Sequence, residues 1–150
     1  MVVRDKSSRS GSCLQTVDKL STFQKVYVIA GKPIPLARPR MSKGYVYDSQ
    51  KQSKQSIATL LRRQHGLIPM YCGPLHLNIT FYMPIPKRTK APLYHRKKPD
   101  LSNMIKFYED VSSGILYADD RQIVKIFACK IYDENPRTEF TITELKENNV

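Results

Sequence analysis

The chain has 150 residues, a length that fits one domain with a core able to fold alone. Its formal charge is +12 with 41% hydrophobic residues, which excludes a wholly disordered chain and favours a polyanionic partner. Its clearest apolar run, Val26-Tyr27-Val28-Ile29-Ala30, is far short of the roughly 20 residues of a spanning helix, and MVVRDKSSRSGSC lacks the apolar centre of a secretory signal, so no membrane association is expected.

In chain order, residues 1–22 are polar, Ser-rich and aperiodic and read as a flexible tail ahead of a domain over 23–146. KVYVIAG (25–31) alternates and is β-branched, which predicts a strand. KPIPLARPRMSKGYVYD (32–48) carries three prolines, which forbid a central strand or a helix. It reads as an extended arm presenting Lys32, Arg38, Arg40 and Lys43. A helix is predicted from Ser49 to about Gln64, capped by Asp48 or Ser49, stopped by Gly66, and striped with Ile57, Leu60 and Leu61.

PLHLNITFYMPI (74–85) alternates Leu75, Leu77, Ile79, Phe81 and Met83, a strand pattern. PKRTKAPLYHRKKP (86–99) reads as a mobile basic loop, with Lys87, Arg88, Lys90, Arg96, Lys97 and Lys98. In LSNMIKFYEDVSSGI, Leu101, Met104, Ile105, Tyr108 and Val111 recur at helical steps, and Gly114 ends the helix. YADDRQ is a turn, and IVKIFACKIYD (123–133) and TEFTITEL (138–145) are strands joined by ENPR. The order β-α-β-loop-α-β-β predicts a single small α/β (α+β) domain, with one mixed sheet of about four strands and two helices.

Charge is unevenly spread. Residues 1–99 hold 19 Lys+Arg against 3 Asp+Glu, whereas residues 100–150 hold 6 against 10. A generic polyanion binder has no use for an acidic third; a metal-dependent enzyme acting on a polyanion uses both. Cys13, Cys72 and Cys129 are scattered, an odd number without CxxC spacing, which argues against a disulfide framework or a zinc site. A reducing cytoplasm is the simplest setting, with Cys129 a buried small hydrophobe. His65 and His76 read as structural, and His95, in the basic loop, as a possible phosphate contact.

The acidic residues cluster around the second predicted helix. Asp100 stands at its mouth; Ser102, Asn103, Lys106, Glu109 and Asp110 line its polar surface; Asp119 and Asp120 follow in the turn. Two readings stand on these residues alone. Asp100 and Asp120 make a divalent metal site if the next strand runs back beside the helix start, since Mg²⁺ takes oxygen ligands and needs only one or two carboxylates plus substrate phosphate. Lys106 would then stabilise charge at phosphorus. Alternatively Asp100 only caps the helix, Lys106 and Asp110 form an i,i+4 pair, and Asp119-Asp120 is turn chemistry.

KKPDLSNMIKFYEDVSSGILYADDRQIVK resembles the RusA family of Holliday-junction resolvases, whose pattern runs KPDxDNLxK, a helical aspartate, a glycine and DDxQV. The matching residues are Lys98, Pro99, Asp100, Asn103, Met104 for Leu, Lys106, Asp110, Gly114, Asp119, Asp120, Gln122 and Ile123 for Val. GKPIPLARPRMSKGYVYD resembles an earlier family segment, so the match spans roughly 25–145. The resemblance implies a mixed sheet with two helices, a symmetric homodimer, and Mg²⁺-dependent (or Mn²⁺-dependent) cutting of four-way DNA junctions in recombination or repair. It implies Asp100 and Asp120 as metal ligands and Lys106 as the charge-stabilising catalytic lysine, with Asn103, Asp110 and Asp119 supporting. DNA would lie on the basic loop 87–98 and the Arg38/Arg40 arm.

Ser102 stands where the family usually has a second aspartate. A neutral hydroxyl weakens Mg²⁺ binding. Three outcomes follow: two carboxylates suffice, Ser102 holds the metal through a water, or the protein is a catalytically impaired nucleic-acid-binding protein of the same fold.

Overall fold

The computed structural model describes residues 24–88 and 90–148. The tail expected over 1–22 lies outside the described residues. The elements are β1 (Val26–Ala30), β2 (Arg40–Ser42), β3 (Tyr45–Tyr47), α1 (Lys51–His65), β4 (Leu75–Pro84), α2 (Leu101–Ser112), a 3-10 turn (Asp120–Gln122), β5 (Ile123–Asp133) and β6 (Arg137–Glu144). Four strands form one mixed sheet in the order β1-β6-β4-β5, and β2 and β3 pair separately. β4 runs parallel to β5 and antiparallel to β6. The α+β architecture with two helices matches the sequence pattern.

One face of the sheet makes the core. Period-two alternation on β4 turns Leu75, Leu77, Ile79, Phe81 and Met83 inward, where all are buried. They join Ile57 and Leu61 of α1 and Met104, Phe107, Tyr108 and Val111 of α2 in one cluster. Each fully buried side chain of this size contributes roughly 1.5–3 kcal/mol relative to exposure.

Three expectations are corrected, and the sheet order is a further finding. The arm is not wholly extended: Arg40–Ser42 and Tyr45–Tyr47 form a hairpin. All three prolines precede it, and Lys43 (φ 48°) with Gly44 (φ 83°) supplies the two left-handed residues of a two-residue hairpin turn. The N-cap of α1 is Gln50, because the Asp48 carboxylate turns back one residue early to accept from the Gln50 amide at 2.8 Å. β5 and β6, joined by three residues, do not pair with each other, since β4 lies between them. Cys72 takes part in a disulfide while Cys129 is a free thiol; an odd cysteine count forbids complete pairing, not one pair.

The two sheet edges differ. On β1, Gln64 of α1 closes the edge, accepting from the Val28 amide at 3.0 Å and donating to the Val28 carbonyl at 2.7 Å. On β5, only the C-terminal part is covered. The Tyr132 amide donates to Leu93 and the His95 amide to Lys130, both at 3.0 Å. The loop expected to be mobile is thus fastened to the sheet at Leu93–His95.

The Tyr108 hydroxyl joins three parts of the fold, accepting from the Ile34 amide at 3.2 Å and from Thr138 at 3.0 Å. Tyr108→Phe leaves the Ile34 amide without that acceptor. It is expected to lower unfolding free energy by about 1–3 kcal/mol in urea titrations, with the slope unchanged.

Candidate active site

The motif helix is positioned from both ends. At its start, the Lys130 ammonium donates to the carbonyls of Lys97 (2.8 Å) and Pro99 (2.6 Å), fastening the end of the basic loop to β5. The Lys98–Pro99 peptide is cis. Asp100 then takes the N-cap position with extended backbone (φ −69°, ψ 140°), but its carboxylate makes no capping bond. This extended backbone is open to any residue, and the Asp100 side chain is exposed.

The basic segments converge here. The Leu36 amide donates to the Asn103 carbonyl at 2.8 Å, which ties the arm to the first turns of α2. His95 has its pKa lowered, mainly by burial and then by Lys130, Lys97 and Lys32, so arm and loop lysines share one neighbourhood. Its ring packs on Tyr132 at 4.9 Å between centroids. Arg38, Arg40, Lys43, Lys87, Arg88, Lys90, Arg96, Lys97 and Lys98 are all exposed. His65 is structural as expected, buried and hydrogen-bonded to the Tyr27 hydroxyl at 2.7 Å.

Along α2 the apolar stripe faces the sheet, and Ser102, Asn103, Lys106 and Asp110 face outward and are exposed. The Lys106–Asp110 pair that spacing allows is not formed; no ion pair involves either residue among those described.

At the far end, the two adjacent aspartates have different duties. Asp119 caps the 3-10 turn, accepting from the Arg121 amide at 2.9 Å and pairing with the Arg121 guanidinium at 3.0 Å. Gln122 completes a capping box, accepting from the Asp119 amide and donating to the carbonyls of Tyr71 and Gly73. Arg121, side chain and amide, holds the Asp119 carboxyl down at about 2. Asp120 makes no such bond and is exposed.

Asp120 lies against the C-terminal half of α2. Glu109 has its pKa raised first by burial and next by Asp120 and Asp110, with Lys106 opposing. The buried Tyr117 phenol is raised by burial and then by Glu109 and Asp120, and it donates to the Glu109 carbonyl at 3.0 Å. At the other end of α2, Lys130 is bonded to the carbonyl of Pro99, the residue before Asp100. β5 does run back along the helix, but the residue it brings to the helix start is Lys130. With 12 residues in α2, its ends lie about 18 Å apart. One chain therefore holds Asp100 and Asp120 at opposite ends of one helix. Among the described residues, no group of three or more His, Cys, Asp or Glu is arranged to hold a metal.

Sequence reasoning missed several contributors. Lys130 looks like one alternating strand residue, and only the fold reveals it as the anchor of the loop. Glu109, which the sequence places only on the polar surface of α2, is electrostatically coupled to Asp120. The hairpin exposes Met41, Tyr45, Val46 and Tyr47 beside Arg40 and Lys43; the Lys-Gly dipeptide ahead of YVY was its signal.

Comparison with known proteins meets this geometry. The sequence model of the family described as Endodeoxyribonuclease RusA matches residues 30–143. The chain belongs to the RusA family. Similar proteins include the uncharacterized protein YqaN of Bacillus subtilis (strain 168), 31% identical over 136 residues, covering 79% of this chain and 95% of that protein. Another is the crossover junction endodeoxyribonuclease rusA of Lactococcus phage r1t, 37% identical over 73 residues, covering 48% of this chain and 56% of that one. RusA-family membership points to nuclease chemistry, and no helix among the described residues is long and apolar enough to cross a membrane.

The division of labour in DDRQ is measurable by calorimetry. Asp119→Ala should lower the melting temperature, whereas Asp120→Asn should leave it unchanged or raise it, because repulsion with Glu109 is relieved. Since the folded-state pKa of Asp119 is depressed from 3.8 to about 2, its contribution is present above that window and is lost as pH falls through it. Asp119→Asn should flatten that part of the acid-stability profile.

Proposed function

We propose that this chain is a Mg²⁺-dependent, structure-selective endonuclease that resolves four-way DNA junctions as a symmetric homodimer, in DNA recombination or repair. The observation that carries the reading is selective vacancy in the motif. Asp119 and Gln122 are consumed by structure, while Asp100, Lys106 and Asp120 are exposed and enter no ion pair among the described residues. Placing unneutralised carboxylates beside an array of lysines has no structural benefit, but it suits a site that must meet phosphate.

The donor chemistry fits the ion. Asp100, Asp120 and the Ser102 hydroxyl offer oxygens, the ligand type Mg²⁺ takes, and all three residues are exposed. Bound Mg²⁺ would supply an activated water and neutralise the scissile phosphate. Lys106, one turn along the same outward face as Ser102 and Asn103, would stabilise charge developing on the phosphoryl oxygens. The loop lysines and the Arg38/Arg40 arm would hold the flanking backbone, with affinity that falls steeply with salt.

The helix-length separation bears on assembly. At a separation of about one helix length, Asp100 and Asp120 of one chain would not share an ion. In a two-fold dimer, Asp100 of one protomer can meet the partner's Asp120, which gives two equivalent sites for two equivalent strands. A second reading, a junction-binding protein that no longer cuts, is favoured by Ser102 alone.

The test uses a labelled four-way junction and the matching linear duplex, with and without Mg²⁺. Paired nicks in the junction are expected from the wild type. Asp100→Asn and Asp120→Asn should each reduce cutting at least about 100-fold while junction affinity is kept or improved, because negative charge near phosphate is removed. Ser102→Asp should raise cutting at limiting Mg²⁺. Metal-dependent cutting undiminished in both Asn variants would sink the assignment; binding without nicks, rescued by Ser102→Asp, would establish the second reading.

A further inference from the structure

The β2–β3 hairpin stands apart from the core. Residues 38–49 are all exposed. Met41 is 76% exposed, Tyr45 77%, Val46 67% and Tyr47 46%, and none of them joins the core cluster. β2 and β3 pair only with each other, in a sheet separate from the main one. A lone two-stranded ribbon is marginal in water, so large apolar side chains on it point to a surface that binds.

The feet of the hairpin, in contrast, are fixed. Gln50 clamps the incoming chain, accepting from the Ala37 amide at 2.8 Å and donating to the Pro35 carbonyl at 2.7 Å. The Leu36 amide bonds to the Asn103 carbonyl, so the hairpin springs from the turn of α2 that carries Ser102. At the outgoing foot, the Asp48 carboxylate is taken up by the Gln50 amide and by Lys54.

Register sorts the hairpin's side chains. Arg40 lies opposite Tyr47 and Ser42 opposite Tyr45, while Met41 lies opposite Val46. Alternation therefore puts Arg40, Ser42, Tyr45 and Tyr47 on one face and Met41 and Val46 on the other. Tyr45 and Tyr47 are two residues apart on one strand, about 6.8 Å at 3.4 Å per residue. Stacked nucleotides rise about 3.4 Å each, so two rings at that spacing have room for one base between them. The surroundings are cationic: residues 32–47 carry Lys32, Arg38, Arg40 and Lys43 and no carboxylate.

We infer that this face of the hairpin stacks on unpaired bases at the centre of a branched DNA, with Tyr45 and Tyr47 as the platforms and Arg38, Arg40 and Lys43 on the adjoining phosphates. Aromatic platforms inside a basic surface are the combination that binds bases free of a duplex. An intact duplex keeps its base faces inside the stack; a branch point, where pairing is interrupted, yields them at lower cost. The lysines and arginines respond to phosphate charge alone and cannot tell the two apart. The hairpin supplies that discrimination. The inference rests on the branched-DNA reading above and adds the residues that separate a branch from linear duplex.

The test is made without metal, so that no strand is cut. The fluorescent base 2-aminopurine is placed beside the crossover of a four-way junction and, separately, within a short single strand. Wild type should change its fluorescence in both, and a Tyr45→Ala/Tyr47→Ala variant should not. Losing these rings should weaken junction binding by about 5- to 100-fold and leave linear-duplex binding largely unchanged. Tyr45→Phe/Tyr47→Phe should restore both the signal and the affinity, because the ring faces remain. Lys43→Ala should weaken junction and duplex alike. Circular dichroism should be unchanged throughout, since the rings are exposed. A double alanine variant with wild-type junction affinity and wild-type signal would overturn the inference and leave the branched-DNA reading standing. So would one that lost its self-association in sedimentation without DNA while keeping the signal, which would assign the hairpin to a second copy. A ring-dependent signal on the single strand, without preference for the junction over duplex, would support the stacking face and sink the branched-DNA reading.

Discussion

The two hydrogen bonds from the Lys130 ammonium to the carbonyls of Lys97 and Pro99 set the terms for the rest of the site. β4 and β5 are parallel neighbours, so the chain leaving β4 must return the full length of the sheet before β5 begins. Helix α2 makes that return. Lys130 fixes where the helix starts, and the Tyr117 hydroxyl on Glu109 helps fix where it ends. Everything the motif contributes is then distributed along one rigid rod. The lysine-rich loop and Asp100 fall at one end, Lys106 lies on the exposed flank, and Asp120 falls at the other end. A shorter connection would bring the two aspartates closer but could not span a parallel crossover.

Electrostatics divides the chain along the same lines. Among the described residues, only Lys54 of the basic first part enters an ion pair, with Asp48. The acidic last third neutralises itself locally: Arg137 joins Asp133 and Glu139 and stacks on Tyr82, while Arg121 joins Asp119. Exposed pairs of this kind add little stability, typically below about 1 kcal/mol each. Their more useful effect is on what remains. The cations of the arm and loop stay out of ion pairs, and Asp100, Glu109, Asp110 and Asp120, along α2 and at its exit, are among the carboxylates that enter none.

Local patterns carried most of the element assignments. The alternation on β4 and the three- and four-residue steps on α2 are strong because burial on one face enforces them. The β2–β3 hairpin escaped notice because Pro33, Pro35 and Pro39 dominated the reading of a segment whose strands begin only at Arg40. Sheet order was not legible, since three residues between β5 and β6 suggest direct pairing, whereas the intervening β4 is recruited from fifty residues upstream. The candidate site suffered from the same limit. Asp100, Lys106 and Asp120 are conspicuous as residue types, but their separation depends on strand order and on which residue of β5 faces the helix start. The split between a capping Asp119 and an exposed Asp120 likewise depends on the turn that Gln122 ties to Tyr71 and Gly73.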